Sequence, residues 1–362
     1  MLEGISRRQS ERRRSALPAA AIVALAFVAV AIGSGRDSDD VAEAAKARGS
    51  KVLAKGLSIP WGLDFLPNGA ALVTERSSGE ILRIPANGGQ AKRVMKVPGV
   101  DPNAGEGGLL GLALSPDYRK DGLVFAYLTT KRDNRIVRFE LGRRPQPILT
   151  GIERSTIHNG GRIAFGPDGM LYAGVGDAAD TTNSQDRDSL NGKILRINPS
   201  GGIPKDNPFP GSPVYSLGHR NVQGLAWDRR GRLWATEFGQ DRRDEVNLIE
   251  PANNYGWPVV EGLGDTEGGK FTNPQVTWSP AESSPSGAAI RGNTLYVAAL
   301  RGERLWRIPL KGERAGKPKA TLQGRFGRLR TVEVAPGGSL WITTSNDDGD
   351  GGIDRVIRLG ER

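Results

Sequence analysis

The sequence predicts an all-β protein, a six-bladed β-propeller of four-stranded antiparallel blades. Three observations carry that expectation. The 362 residues include 50 glycines and 23 prolines with only 37% hydrophobic content, the composition of many short strands and turns. Helical patterning is scarce beyond the N-terminus. One phrase recurs six times: an apolar strand, a Pro/Asp/Gly turn, a second apolar strand, a polar loop and a closing strand of the I-L-R-I type.

The first copy is W-G-L-D-F-L-P-N-G-A-A-L-V-T-E at residues 61–75, closing with I-L-R-I at 81–84. The second runs through L-L-G-L-A-L-S-P-D-Y at 109–118 and L-V-F-A-Y-L at 123–128 to R-I-V-R-F at 135–139. The third is R-I-A-F-G-P-D-G-M-L-Y-A-G-V-G-D at 162–177 with K-I-L-R-I at 193–197. The fourth is G-L-A-W-D-R-R-G-R-L-W-A-T-E at 224–237 with E-V-N-L-I at 245–249. Gly287 opens the fifth, followed by L-Y-V-A-A-L at 295–300 and R-L-W-R-I at 304–308. The sixth is T-V-E-V-A-P-G-G-S-L-W-I-T-T at 331–344 with R-V-I-R-L at 355–359. Copies begin roughly every 43 to 63 residues, the spacing of propeller blades. Segments such as residues 91–97 can add the outer fourth strand, and residues 51–55 are a candidate strand that closes the ring. A β-sandwich has similar turn spacing but does not call for six-fold repetition.

Residues 1–35 read as a signal peptide or N-terminal membrane anchor, 36–50 as a linker and 51–362 as one catalytic propeller. Arg7, Arg8 and Arg12 to Arg14 precede an uncharged Ala/Val/Ile-rich run at 16–33, long for a signal core and short for a membrane span. Cleavage fits after Ala31 or Ala44; uncleaved, the run would anchor an exported domain. The alternative is an apolar helix packed on the domain. The chain has no cysteine, which excludes disulfides, thiolate metal sites and a cysteine nucleophile. The net charge is +10, but residues 1–36 hold six Arg and two Glu, leaving 44 basic against 38 acidic residues, interspersed. That pattern argues for a solvated surface with arginines for an anionic ligand, and against nucleic acid.

Only two histidines occur, His158 in H-N-G-G-R and His219 in G-H-R-N, each just before the first strand of a repeat. Asp177 follows the second strand of the same repeat as His158. A hairpin returns the chain to the same end, so a carboxylate–imidazole pair is geometrically sensible; alternatively Asp177 only caps its turn. His219 reads as a partly buried loop histidine bonded to backbone, beside Arg220, which can fork hydrogen bonds to an anion. Arg328 and Arg330 share a face of an extended strand and form a clamp for a carboxylated ligand. The acidic segment 237–249 allows calcium through carboxylate and backbone oxygens without the spacing of an EF-hand. Asn346, Asp347, Asp348 and Asp350 read as a polar loop tip.

These motifs together resemble the soluble pyrroloquinoline quinone (PQQ)-dependent glucose and aldose sugar dehydrogenases, the glucose/sorbosone dehydrogenase family. The resemblance runs from about Leu57 to Leu359. It is carried by G-E-G-G-L-L-G-L-A-L-S-P-D-Y (105–118), H-N-G-G-R-I-A-F-G-P-D-G (158–169), N-G-K-I-L-R-I-N-P-S-G-G-I-P-K-D-N-P-F (191–209), Y-S-L-G-H-R-N-V-Q-G-L-A-W (215–227) and D-E-V-N-L-I-E-P-A-N-N-Y-G-W-P (244–258). It implies a six-bladed propeller that oxidises an aldose at its anomeric carbon to the lactone, with PQQ and calcium.

By that resemblance, His158 is the catalytic base, Asp177 its carboxylate partner and Arg220 the stabiliser of charge on the quinone. Asn221, Arg301, Arg328 and Arg330 are further cofactor contacts. Gly239 and Gln240 supply backbone ligands for calcium, and Glu245 and Tyr255 match a further, structural calcium site. Glu106 also falls at a cofactor-contacting position but departs, standing where the glucose enzyme has glutamine, and a carboxylate there would repel an anionic cofactor unless protonated or calcium-paired. Shorter inter-blade loops imply an open cleft and a broad aldose range. The implied partners are a sugar and an external electron acceptor, a quinone or small redox protein. Membrane contact would come only through the N-terminal segment. The alternative is a non-enzymatic propeller that binds carbohydrate or protein. A calcium-dependent lactonase would need acidic and amide ligands converging from several blades, and no such set is evident.

Overall fold

The computed structural model describes residues 49–348 and 351–360. The expected leader, most of the linker and Asp350 lie outside the described residues. Among the described residues the first strand is β1 (Ser50–Leu57), and blade one is built from β2 (Pro60–Phe65), β3 (Ala71–Glu75), β4 (Glu80–Ile84) and β5 (Lys92–Lys96). Blade two is β6 (Leu109–Leu114), β7 (Leu123–Thr129), β8 (Asn134–Glu140) and β9 (Gln146–Ile152); blade three is β10 (Arg162–Phe165), β11 (Leu171–Val175), β12 (Lys193–Ile197) and β13 (Val214–Leu217). Blade four is β14 (Val222–Trp227), β15 (Leu233–Glu237), β16 (Asp244–Ile249) and β17 (Val276–Trp278).

Blade five contains β18 (Pro285–Arg291), β19 (Thr294–Ala299) and β20 (Arg304–Lys311), with β21 (Arg314–Ala315) and β22 (Lys319–Thr321) both paired to β20. Its outer strand is therefore split. Pro318 lies in the break, and proline has no N–H to give the ladder. Blade six is β23 (Leu329–Val334), β24 (Leu340–Thr344) and β25 (Asp354–Leu359), completed by β1, which pairs antiparallel with β25 from Ser50↔Leu359 to Leu57↔Asp354. The closing strand is longer than residues 51–55 suggested, and it joins the first and last strands of the propeller.

The second strands explain why the repeats read as unbroken apolar runs. β3, β11, β15 and β24 are buried at every position, since each faces a neighbouring blade on both sides. Alternate residues serve opposite neighbours. Leu72 packs with Val124 and Ala126 of blade two, whereas Val73 packs with Trp341 and Val356 of blade six. Likewise Val297 joins Trp234 and Trp278, while Tyr296 and Ala298 join Leu340 and Ile342. The hydrophobic core is thus a ring of six inter-blade clusters.

Threonine hydroxyls stitch the inner edges where backbones approach. Thr74 donates to the Leu110 carbonyl at 2.6 Å, Thr236 to Ser286 at 2.5 Å and Thr331 to Trp61 at 2.6 Å, each across a blade boundary. The segments before each inner strand and after each second strand gather at one mouth of the ring.

Candidate active site

The mouth encloses a cavity of about 270 Å³. Its wall follows the repeat: Glu106, His158 and Arg220 precede inner strands, while Arg76, Gly239, Arg301 and Asp348 follow second strands. The structure therefore brings together His158, Arg220, Asn221, Glu106, Arg301, Arg328, Arg330, Gly239 and Gln240 on one surface.

Asp177 stands directly behind that surface, fully buried, with Oδ1 2.8 Å from His158 Nδ1. Oδ1 also accepts the Ala179 N–H at 2.9 Å, so Asp177 caps its turn and orients the imidazole at once. Oδ2 accepts the indole N–H of Trp257 at 2.9 Å, from a loop of blade four. His158 is held with φ of 57°, a costly backbone state for a non-glycine residue. Two contacts maintain it: Glu106 Oε2 accepts the His158 N–H at 2.9 Å, and the His158 carbonyl accepts from Ala178 at 3.2 Å. Gly176 is obligatory here, because a Cβ would lie 2.0 Å from the His158 carbonyl oxygen. Asn221 Oδ1 accepts the Gly160 N–H at 3.0 Å, fixing the next residues of the same loop. Glu106 thus has work to do in the structure that the sequence did not reveal, as an anchor for the histidine's backbone.

The arginines are conspicuous for what they lack. Six buried side-chain polar atoms have no partner among the described residues, and three are the Nε atoms of Arg76, Arg220 and Arg330 in this wall. Arg330 is 5% exposed and makes only long contacts, at 3.5 Å to Gln223, 3.4 Å to Ser345 and 3.3 Å to Asp348. Burial, with Arg76 next to it, pulls its pKa down to about 9. Burial also lowers that of Arg220, against four nearby carboxylates. A buried guanidinium as poorly paired as that of Arg330 is stabilised by an anion. Asp348, read from sequence as a loop tip, instead forms a bidentate pair with Arg76 at 2.6 and 2.8 Å, and Asp347 accepts from Ser58 at 3.2 Å.

Arg220 Nη1 donates to the carbonyls of Phe238 at 3.2 Å and Gly239 at 2.7 Å. Asp244 holds the base of this loop, accepting the N–H of Gly239 at 3.0 Å and of Ser284 at 2.7 Å; burial pushes its pKa up to about 6. His219 is fully buried, more deeply than the partial burial expected, and its ring bonds to side chains rather than backbone: Glu237 at 2.8 Å and Ser216 at 2.9 Å, stacked on Tyr255. The backbone N–H of Arg220 donates to the same Glu237 carboxylate.

Glu245 is set apart from the mouth. Its carboxylate accepts from Gly262 N–H at 2.7 Å and Asn247 at 3.0 Å, and burial together with Glu237 raises its pKa. Tyr255 donates its hydroxyl to the Leu248 carbonyl at 2.7 Å. A structural cation bound by the Glu245 carboxylate would have to compete with those donors, and no cluster of three His, Cys, Asp or Glu residues suited to a metal exists among the described residues.

Sequence reasoning missed Trp61, Arg76, Gln223, Asp348 and Trp257. The repeat could have found Arg76, which follows its second strand as Asp177 and Arg301 follow theirs. Nothing local marks Trp257, which reaches Asp177 from a separate blade.

A propeller whose mouth sets a carboxylate-oriented imidazole beside guanidinium groups with partnerless Nε atoms defines a pocket suited to an anionic ligand. The chain belongs to the glucose/sorbosone dehydrogenase family, whose model matches residues 57–357. It is 35% identical over 262 residues to quinoprotein glucose dehydrogenase B of Acinetobacter calcoaceticus, covering 62% of this chain and 55% of that one, so it spans about half the length of that relative. It is 28% identical over 343 residues to aldose sugar dehydrogenase YliI of Escherichia coli, covering 83% of this chain and 91% of that protein. Among solved structures, the PQQ-bound form of aldose sugar dehydrogenase from Streptomyces coelicolor is similar with a TM-score of 0.82 and 54% identity, covering 85% of this chain and 97% of that one.

Proposed function

We propose that this protein is a PQQ- and calcium-dependent dehydrogenase that oxidises an aldose sugar at its anomeric carbon to the lactone. The observation that carries the reading is the placement, around one cavity, of the His158–Asp177 pair and the partnerless Nε atoms of Arg76, Arg220 and Arg330. These residues suit a planar quinone bearing carboxylates. Arg328 and Arg330 would hold its carboxylates, Arg301 would add charge at the rim, and Arg220 with Asn221 would face the quinone edge. The carbonyls of Gly239 and Gln240 are neutral oxygen donors of the kind calcium takes. When bound, PQQ supplies a two-electron hydride acceptor and calcium a Lewis acid that polarises the quinone carbonyl.

The remaining chemistry belongs to the chain. His158 Nδ1 is committed to Asp177, which leaves Nε2 to take the proton of the anomeric hydroxyl. Asp177 fixes that tautomer and stabilises the imidazolium that forms. Arg220 offers positive charge where negative charge develops. Electrons must then leave to an external acceptor, a quinone or small redox protein, and a leader at residues 1–35 would export the enzyme.

The test is to add PQQ and calcium to the cofactor-free protein and follow dye reduction with several aldoses. Turnover with more than one aldose is the expected result. If PQQ neither changes its absorbance nor protects the protein against unfolding, the enzyme reading fails.

A further inference from the structure

We propose that Glu261 is a positioning residue for the cation site, and that its carboxylate turns the carbonyls of Gly239 and Gln240 away from itself as preset ligands. The proposal rests on the calcium-dependent reading above and deepens it.

One oxygen of Glu261, Oε1, accepts four consecutive backbone N–H groups: Gln240 at 2.7 Å, Asp241 at 3.2 Å, Arg242 at 3.0 Å and Arg243 at 3.1 Å. Successive amides converging on one anion are a nest, and the chain must curl tightly to form it. Gly239 shows how tightly, since a Cβ there would lie 1.8 Å from the Arg243 carbonyl oxygen and 2.8 Å from Glu261 Oε1.

The consequence follows from the planar trans peptide, in which N–H and C=O point in opposite directions. The N–H of Gln240 shares its peptide plane with the carbonyl of Gly239. Fastening that N–H to Glu261 therefore aims the Gly239 carbonyl away from Glu261, where Arg220 Nη1 meets it at 2.7 Å. The same holds one peptide later: the N–H of Asp241 faces Glu261, so the Gln240 carbonyl is directed away from it. Asp244 repeats the device one peptide earlier, holding the Gly239 N–H while the Phe238 carbonyl accepts from Arg220. Three successive carbonyls are thus set by carboxylates behind them.

The two peptides fastened to Glu261 through Gln240 and Asp241 are those whose carbonyls are candidate calcium ligands. An amide whose N–H donates to an anion is polarised, and its oxygen becomes a stronger donor to a cation. Glu261 also supplies a negative charge behind ligands that carry none. It contributes orientation and field without contacting the ion.

The test uses the full chain freed of metal and cofactor, with calcium chloride as titrant, followed by calorimetry with and without PQQ. Glu261→Ala should weaken calcium binding about 10- to 100-fold, the usual effect of losing a group that orients a ligand. Glu261→Gln should weaken it less, because its amide oxygen still accepts N–H but carries no charge. PQQ affinity in excess EDTA should stay within about two-fold of wild type for both, a readout that loss of folding would not leave unmoved. Calcium affinity equal to wild type in Glu261→Ala would overturn the proposal alone. Should that variant fail to fold, equal affinity in Glu261→Gln does the same. A wild-type protein that binds PQQ but no calcium overturns the calcium reading and this proposal with it.

Discussion

The indole N–H of Trp257 donates to Asp177 Oδ2 at 2.9 Å, while Oδ1 of the same carboxylate lies 2.8 Å from His158 Nδ1. A residue on a loop of blade four thereby fixes the carboxylate that fixes the imidazole of blade three. The ring of Trp257 also lies 5.5 Å from the Arg220 guanidinium carbon, so one side chain contacts both the imidazole's carboxylate partner and the arginine.

Trp257→Phe removes the donor and leaves a fully buried carboxylate oxygen without it. A hydrogen bond to a charged group is worth about 1.5–3 kcal/mol. We expect kcat for aldose oxidation to fall about 10-fold or more, with sugar KM changed by less than about three-fold. Steady-state dye reduction reads both. A variant with wild-type kcat would show that Asp177 needs no fixing from blade four.

His158→Gln should lower kcat by at least about 100-fold, the usual contribution of a general base. PQQ affinity should hold to within a few-fold, because the arginines are untouched. Equilibrium titration with PQQ beside single-turnover kinetics separates the two. Retained turnover would move the base elsewhere.

Arg330→Met is expected to act with opposite signs on stability and binding. The free protein should unfold at the same temperature or higher, since a poorly paired buried charge next to Arg76 is gone. PQQ affinity should drop about 10- to 100-fold through loss of charge-assisted bonds. Thermal scans with and without PQQ read both signs in one experiment. A destabilised free protein with normal affinity would make Arg330 structural.

Lys193 gives a pH dependence outside the cavity. Its ammonium is fully buried and donates to the carbonyls of Asn183 at 2.6 Å, Asn191 at 2.7 Å and Ser184 at 3.3 Å. Burial pulls its pKa from 10.5 down to about 8, opposed by Asp186. Between those values the unfolded chain holds a proton that the folded chain has released. Unfolding then takes up a proton, and this group's contribution to stability rises with pH. Relative to Lys193→Met, the wild type should gain up to about 3 kcal/mol between the two limits. Urea unfolding at several pH values measures the difference. A gap that narrows with rising pH would mean that the carbonyl cage holds the ammonium charged.

Glu106→Gln tests the departure from the glucose enzyme. Its amide can still accept the His158 N–H, so the loop should keep its shape. Removing a negative charge from a wall that receives an anion should tighten PQQ binding several-fold. Unchanged affinity would show that the arginines already outweigh it.

Much of this site was legible in the chain. The repeat located both ends of each hairpin, and so placed His158 and Asp177 at one mouth before any distance was known. The R-x-R pattern found Arg328 and Arg330 because a strand's period of two is local. His219 was expected to be only partly buried and bonded to backbone; it is fully buried and bonded to Glu237 at the end of β15, a partner the repeat could have offered as it offered Asp177 for His158.

The sequence by itself determined the number of blades, their order, the face on which polar loops meet and the residue types available there. Each rests on short-range periodicity and turn chemistry, which neighbouring residues encode. Only the tertiary structure decided that Trp257 holds Asp177, that Asp348 clamps Arg76 and that Glu261 gathers the amides of residues 240–243. Those contacts cross blade seams or join non-repeating loops, separated by 80, 272 and 18 to 21 residues. Their geometry comes from how six packed sheets close on themselves, which no single repeat contains.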